Sequence, residues 1–94
     1  MLDPQLKRGL LDHCVLAALC RGDSYGYQII KDLSGSVALS ESTLYPILRR
    51  LEQGGALSSY SVEHNGRLRK FYHLTPQGWR QLQDFSESRE ELDR

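Results

Sequence analysis

Residues 57–74, LSSYSVEHNGRLRKFYHL, carry the strongest structural signal of the chain. Two strand-like runs flank Asn65-Gly66, the dipeptide most typical of a two-residue hairpin turn because both positions tolerate positive φ. The pattern predicts a β-hairpin in which Leu57 lies opposite Leu74 and Tyr60 lies opposite Phe71.

The two faces of this predicted hairpin differ in polarity. Side chains alternate between the faces of a strand. One face is suited to packing on helices and carries Leu57, Leu68, Tyr72 and Leu74. The opposite face carries Tyr60, Val62, Arg69 and Phe71.

Two helices are predicted at the start of the chain. The first runs from about Gln5 to Cys20, and its apolar residues cover too wide an arc for one contact surface. We expect it to face both the domain core and a second partner. Ser24 is predicted to cap the second helix, which Ser34-Gly35-Ser36 ends.

A third helix is predicted just before the hairpin. Either Ser40 or Ser42 supplies its N-cap, and Gly54-Gly55 ends it, since glycine adopts the positive φ of a helix C-terminus. Pro46 removes one backbone donor, and a bent first turn is expected if Ser42 is the cap. The inner face is apolar and consists of Leu44, Ile47, Leu48 and Leu51.

A fourth helix follows the hairpin. Thr75 is predicted to cap it, and Pro76 is tolerated at its first position. A narrow stripe at spacings of three and four contains Trp79, Leu82, Phe85, Arg89 and Leu92. Because the three preceding helices already have a core, we expect this stripe to pack on the first helix of a second copy.

The order helix, helix, helix, hairpin, helix is that of a winged helix-turn-helix protein, mainly α with a small β-hairpin. Residues 1–75 are predicted to form the DNA-binding domain, and residues 76–94 a C-terminal dimerisation helix. In this plan the third helix enters the DNA major groove and the hairpin, or wing, touches the flanking backbone or the minor groove.

The charge distribution agrees with this fold. Twelve basic and twelve acidic residues give a net charge of zero. Residues 49–80, however, carry a net charge of +4, whereas residues 81–94 carry −3. Because salt screens electrostatic fields within about 10 Å at 0.1 M, the local charge of residues 49–80 matters more for phosphate contact than the net charge of the whole chain. Neutrality therefore does not exclude binding to nucleic acid.

Candidate DNA contacts lie on the third helix, the wing and the second helix. The outer face of the third helix carries Ser42, Thr43, Tyr45, Pro46 and Arg49. The wing carries His64, Arg67, Arg69 and Lys70. Hydroxyl and guanidinium groups are suited to phosphates and guanine, and Tyr45 to the backbone or a thymine methyl. The alternatives are a solvated helix face, a charged strand edge that prevents aggregation and, for His64, an exposed turn residue.

Two tyrosines flank Gly26 at the start of the second helix. We expect Tyr25 to lie inside the core and Tyr27 to lie partly outside, where it reaches a phosphate. Gly26 is expected to let helices approach closely. Glu52 is expected to pair with a neighbouring Arg.

Four motifs resemble the PadR family of bacterial transcriptional regulators. They are Leu6-x-x-Gly9-x-Leu11, Tyr25-Gly26-Tyr27-x-Ile29, Leu39-Ser40-x-x-Thr43-Leu44-Tyr45-Pro46-x-Leu48-x-x-Leu51-Glu52-x-x-Gly55 and Tyr72-x-Leu74-Thr75-x-x-Gly78. The resemblance covers roughly residues 5–80. It makes Tyr45 the strongest candidate for DNA contact.

The resemblance implies a dimeric repressor that a small aromatic or drug-like effector releases from operator DNA. In such a dimer the interface is built largely from the C-terminal helix and the first helix. The residues expected at the dimer or effector interface are Leu6, Leu10, Trp79, Leu82, Phe85 and Leu92. The chain resembles the short class without an additional C-terminal domain. Its last helix, about 18 residues or about 27 Å long, is short for that class, and truncation of the chain at its C-terminus is one explanation that the sequence leaves open.

Other function classes lack their signatures. Neither a glycine-rich phosphate loop nor a nucleophile elbow is present, which argues against an enzyme. Cys14 and Cys20 cannot chelate one metal from a helix, and they are expected to be small buried hydrophobes without metal or cofactor. No apolar run reaches the roughly 18 residues of a membrane span, and cytoplasmic residence is expected.

Two alternatives remain open. The chain could be a winged-helix protein-interaction module that does not bind DNA. It could also be a ligand-sensing dimer in which the aromatic stripe around Trp79 and Phe85 matters more than the wing. That stripe either lines an effector pocket or only seals the dimer interface.

Overall fold

The computed structural model describes residues 4–92, and side chains are described for residues 4–85. In chain order this part contains α1 (Pro4–Ala18), β1 (Ser24–Tyr25), α2 (Gly26–Leu33), α3 (Glu41–Gln53), β2 (Leu57–His64), β3 (Arg67–Leu74) and α4 (Pro76–Leu92). The strands form one antiparallel sheet in the order β1-β3-β2. The predicted winged helix-turn-helix fold, mainly α with a small hairpin, is confirmed.

The hairpin has the predicted turn and register. Asn65 has φ 53° and Gly66 has φ 78°, as a two-residue turn with both central residues at positive φ requires. Leu57 pairs with Leu74, and Tyr60 with Phe71. The wing is therefore defined by local sequence alone.

The first strand was not predicted. Ser24 pairs with Tyr72, and Tyr25 pairs with Phe71, so these two residues add a third strand to the hairpin. The prediction that Ser24 caps α2 is wrong, because Tyr25 occupies the N-cap position and its side chain makes no capping hydrogen bond. A strand of two residues has no periodicity of its own, and only its partner on β3 defines it.

One hydrophobic core joins α1, α2 and α3 to the inner face of the sheet. Its buried members are Val15, Leu16, Leu19, Ile29, Leu39, Leu44, Ile47, Leu48, Leu51, Ala56, Leu57, Tyr72 and Leu74. The predicted inner face of α3 is confirmed in full. The predicted packing of Leu68 is wrong: this side chain is 75% exposed because it lies near the wing tip, beyond the reach of the helices.

The end of α3 is a Schellman motif, as the two glycines predict. The N–H of Ala56 donates to the carbonyl of Leu51 over 2.9 Å, and the N–H of Gly55 donates to Glu52 over 3.1 Å. Gly55 has φ +90°, whereas Gly54 remains helical with φ −79°. Gly55 alone supplies the left-handed residue that turns the chain into β2.

The start of α4 is fastened to this same turn. Thr75 Oγ1 accepts from the N–H of Gly78 over 3.0 Å, which confirms the predicted cap, and lies 2.7 Å from the carbonyl oxygen of Gly55. A Cβ on Gly78 would lie 2.2 Å from the carbonyl oxygen of Ala56. Gly55 and Gly78 therefore allow α3, the wing and α4 to pack closely where they meet.

Part of the α4 stripe packs within its own chain. The ring of Phe85 stacks on His13 of α1 with centroids 4.3 Å apart, and Leu82 packs against the core. The expectation that the whole stripe awaits a second chain is therefore wrong for these two residues. Trp79 remains 48% exposed. Arg89 and Leu92 lie outside the described side chains.

Candidate nucleic-acid interface

The outer face of α3 is exposed along its whole length. Ser42, Pro46 and Arg49 lie opposite the buried leucines, at the helical spacing of four and three residues. Gln53 continues this row at a further spacing of four and is also exposed. Sequence reasoning missed Gln53, although the same spacing would have found it. Four residues that are neighbours on the helix surface are thus exposed and available for contact with a DNA groove.

The hydroxyls at the start of α3 form a small cluster. Ser40 is the N-cap: its Oγ accepts from the N–H of Thr43 over 3.3 Å. The same oxygen lies 2.9 Å from Ser42 Oγ and 3.1 Å from Thr43 Oγ1. Because α3 begins at Glu41, Ser42 is not the cap and Pro46 lies in the second turn, within a continuous helix. The cap presents three exposed hydroxyls at one helix end.

Tyr45 lies on the flank of α3 that faces α2 and the wing. It is 43% exposed. Its hydroxyl lies against Gly26, where an added Cβ would be 2.6 Å from Oη and 3.0 Å from Cζ. Gly26 is itself buried, and the group that approaches it closely is the side chain of Tyr45 rather than the backbone of a helix. Tyr27 is 63% exposed, as expected, whereas Tyr25 is only partly buried.

A cleft of about 420 Å³ separates α3 from the wing. Its walls include Tyr45 and Arg49 of α3 and Leu68, Arg69 and Lys70 of β3. Basic side chains thus line both walls of this cleft.

The cleft also contains one acidic side chain. Glu52 accepts from the hydroxyl of Ser59 and lies 3.5 Å from the ammonium of Lys70. Glu52 was expected to pair with a neighbouring Arg, which is wrong, since its partner is a lysine from the wing. This pair links α3 to the wing and partly neutralises Lys70.

The basic wing residues have different environments. Arg69 lies over the ring of Tyr25, with its guanidinium carbon 4.6 Å from the ring centroid. Arg67 and His64 pair across the end of the hairpin and are exposed. Among the described side chains, neither Arg49 nor Arg67 has an acidic partner, and these two guanidinium groups keep their full charge for a ligand.

A hydrogen-bonded cluster lies on the outer face of the sheet. Tyr60 donates to Asp23 Oδ2 over 2.6 Å, and His73 Nδ1 lies 2.8 Å from Asp23 Oδ1. The hydrogen bond from Tyr60 and then that from His73 lower the pKa of Asp23. The same carboxylate raises the pKa of the Tyr60 hydroxyl. Asp23 thereby fastens the loop before β1 to the sheet.

The residues predicted for a dimer or effector interface fall into two groups. Leu6 is 52% exposed and Trp79 is 48% exposed, and both are free to meet another surface. Leu10 is partly buried, and Leu82 and Phe85 pack within the chain. The side chain of Leu92 lies outside the described residues.

The described part of the chain offers no metal centre. No three of its His, Cys, Asp or Glu side chains are grouped so as to hold an ion. Cys14 and Cys20 are free and partly buried, and burial raises the pKa of the Cys20 thiol. Among residues 4–92, no helix combines the length and hydrophobicity that a membrane span requires.

The fold and the exposed helix with its basic wing define a class, the winged helix-turn-helix transcriptional regulators. Residues 15–84 match the Transcriptional regulator PadR-like family. The chain belongs to this family, which confirms the resemblance seen in its motifs.

Relatives and solved structures agree with this assignment. An uncharacterised protein from Lysinibacillus sphaericus is 32% identical over 83 residues, which cover 83% of this chain and 76% of the relative. The transcriptional regulator Rv3488 of Mycobacterium tuberculosis is 43% identical over 56 residues, 60% of this chain and 52% of that protein.

Two crystal structures are informative. A PadR-like transcription factor from Bacteroides fragilis superposes with a TM-score of 0.88 at 35% identity, covering 95% of this chain and 88% of the other. Bacillus subtilis PadR, solved in complex with operator DNA, superposes with a TM-score of 0.74 at 25% identity, covering 81% of this chain and 46% of that one.

Proposed function

We propose that this chain is a homodimeric transcriptional repressor that binds operator DNA through α3 and the wing and is released by a small aromatic effector. The observation that carries the DNA-binding part is the exposed row on α3. Arg49 in this row and Arg67 on the wing have no acidic partners among the described side chains. The solved complex of Bacillus subtilis PadR with operator DNA supports it by analogy.

In this proposal the outer face of α3 lies in the major groove. Arg49 has the geometry for a bidentate contact to guanine or for a phosphate, and Ser42 and Thr43 offer hydroxyls to the backbone. Arg67 and His64 at the wing tip reach the flanking backbone, and a narrow minor groove would attract Arg67. Arg69 and Lys70 strengthen the field along the cleft, while Tyr27 meets a phosphate beside α2.

The first experiment is selection of DNA by the purified protein from a random pool, followed by affinity measurements over a salt series. Each neutralised phosphate should add about −0.9 to the log–log slope. Arg49→Gln and Arg67→Gln should weaken binding, whereas Arg21→Gln, in the turn that follows α1, should not. Absent or salt-insensitive binding would overturn the proposal.

The alternative is a winged-helix protein-interaction module. Exposed apolar wing residues favour it, namely Leu68 at 75%, Tyr60 at 44% and Val62 at 39% exposure. The same salt series separates the two functions, because burial of such residues against a protein would depend little on salt.

The dimer is proposed to form through the C-terminal segment, residues 76–94, which contains α4, and through α1. Leu6 and Trp79 support it, because these large apolar side chains on α1 and α4 remain about half exposed among the described residues. Leu6→Asp should shift sedimentation from dimer to monomer, whereas Val62→Asp on the wing should not. A wild-type monomer at high concentration would contradict the dimer.

The effector is proposed to bind beside Trp79, the only tryptophan of the chain. Its exposed indole offers a planar surface for an aromatic ligand. Titration with planar aromatic acids and planar aromatic cations should change the Trp79 fluorescence and lower DNA affinity. If neither class of compound changes the Trp79 fluorescence or the DNA affinity, the proposed effector site is wrong. Such a regulator would act in the cytoplasm, where its DNA is.

A further inference from the structure

The N-terminal half of α1 lies beside α3, the proposed recognition helix, on the side opposite the wing. A groove of about 310 Å³ separates the two helices. On α1 its wall is formed by Pro4, Lys7, Arg8 and Leu11. On α3 its wall is formed by Ser42, Thr43, Pro46, Ile47 and Arg50. Ser42 and Pro46 belong to the exposed row of α3, so this wall of α1 borders the same surface.

The groove carries two basic side chains whose charge is not neutralised by a described residue. Arg50 forms an ion pair with Asp12 of α1, which neutralises its guanidinium. Lys7 and Arg8 are exposed, and none of the ion pairs among residues 4–85 includes them. Their aliphatic stems can cover the apolar floor at Leu11 while the charged ends remain in water.

The recognition helix therefore lies between two basic walls. On one side are Arg69 and Lys70 of the wing, and on the other are Lys7 and Arg8. A major groove about 12 Å wide is bounded by the sugar-phosphate backbones of both strands. A helix inserted in the major groove has one sugar-phosphate backbone on each side. Basic side chains on both sides of α3 are therefore complementary to duplex DNA.

We infer that Lys7 and Arg8 form a second backbone clamp, which binds phosphates of the DNA strand opposite the one that the wing contacts. This inference rests on the proposed function and assigns DNA contact to a helix that otherwise serves the core and the dimer. The clamp contacts phosphates only, so it fixes the register of α3 in the groove and carries no base preference.

The test is a salt series with the double variant Lys7→Gln/Arg8→Gln on the DNA recovered by selection with the wild-type protein. The log–log slope should become shallower by about 0.9 for each lost contact. The base preference at each position should stay unchanged, because phosphate contacts weaken binding about uniformly across sequences. Lys7→Arg/Arg8→Lys, which keeps both charges, should restore the wild-type slope.

The control is Arg21→Gln, which removes an exposed charge beyond the other end of α1 and should leave the slope unchanged. An unchanged slope in the Lys7→Gln/Arg8→Gln protein would overturn the clamp while the proposed function stands. Wild-type protein that binds no DNA would overturn the proposed function and the clamp with it. Equal loss of slope in the charge-retaining variant would also overturn the clamp, because charge would then not be its cause.

Discussion

The hydroxyl of Tyr45 on the recognition helix occupies the space that a side chain at Gly26 would need. A Cβ at position 26 would lie 2.6 Å from Tyr45 Oη and within 3.1 Å of two ring carbons. The glycine at the start of α2 therefore determines how the tyrosine ring lies beside the cleft. Its role is space for a neighbouring side chain, because Gly26 is not among the glycines with positive φ.

Gly26→Ala should weaken DNA binding without unfolding the protein. The new methyl group displaces the end of a flexible side chain, and an off-rotamer shift of Tyr45 costs about 0.5–1.5 kcal/mol, up to about tenfold in affinity. Alanine favours a helix over glycine, so the thermal midpoint should hold or rise. Fluorescence anisotropy and thermal melts measure both. Unchanged affinity would contradict a role for the Tyr45 orientation.

Tyr45→Ala should reduce operator affinity by more than its effect on stability. The side chain is 43% exposed, so little core packing is lost, whereas a base or backbone contact is worth about 1–3 kcal/mol. Tyr45→Phe separates the hydroxyl from the ring: affinity retained by phenylalanine would identify ring contact. A loss of folding stability equal to the loss of binding would place Tyr45 in the core instead.

Glu52→Gln should strengthen DNA binding and steepen its salt dependence. Glu52 holds the ammonium of Lys70 at 3.5 Å, and glutamine would release that charge while still accepting from Ser59. Lys70 could then add up to about 0.9 to the log–log slope. Glu63→Gln is the control, since it removes an exposed acidic charge of the wing outside the described ion pairs. Equal changes in DNA affinity and salt dependence in both variants would indicate that the loss of any acidic charge has this effect, and would contradict a specific role for the Glu52–Lys70 pair.

Gly78→Ala should destabilise the fold. The added methyl would overlap the carbonyl oxygen of Ala56 at 2.2 Å, and backbone cannot move aside as a side-chain end can. Overpacking of this kind costs about 1–3 kcal/mol, and each kcal/mol lowers the melting midpoint of a domain this size by roughly 4–8 °C. Gly35→Ala, where nothing lies within 4 Å, should be nearly neutral. Similar midpoints for the two variants would contradict the overlap.

Asp23→Asn should lower the pKa of Tyr60 toward its ordinary value of 10.0, because the hydrogen bond to the carboxylate raises it. The raised pKa of Tyr60 contributes stability that is present below pH 10 and is lost as pH rises through the folded-state pKa. The lowered pKa of Asp23 contributes stability that is present above its ordinary 3.8 and is lost as pH falls through the folded-state pKa.

Absorbance of tyrosinate follows this titration, and the spectrum of Tyr60→Phe assigns the Tyr60 component among five tyrosines. Denaturant unfolding between pH 2 and 6 checks the acid limb, where the Asn variant should show a weaker dependence on pH. An unaltered Tyr60 titration in the Asn variant would show that the 2.6 Å contact is not kept in solution.

Local sequence signals predicted most of the fold. The Asn65-Gly66 turn, the glycines at the end of α3 and the Thr75 cap depend only on neighbouring residues, so each was found where it was expected. The strand at Ser24–Tyr25 was not predictable in this way, since its hydrogen-bond partners on β3 lie more than 40 residues further along the chain. The prediction that Leu68 packs on the helices was wrong for a different reason. Alternation along the strand predicts which face of the sheet carries Leu68, but not whether a helix extends far enough to cover it.

The element order, the hairpin register and the buried face of α3 could be predicted from the sequence, because turn chemistry and hydrophobic periodicity act over a few residues. Which basic residues lack an acidic partner depends on tertiary packing. Lys7 and Arg8 belong to residues 1–48, whose four basic and five acidic side chains give a net charge of −1. In the folded chain Asp12 pairs with Arg50, and Lys7 and Arg8 lie beside α3. Electrostatic fields depend on distance in space, and that distance is set by packing rather than by position in the chain.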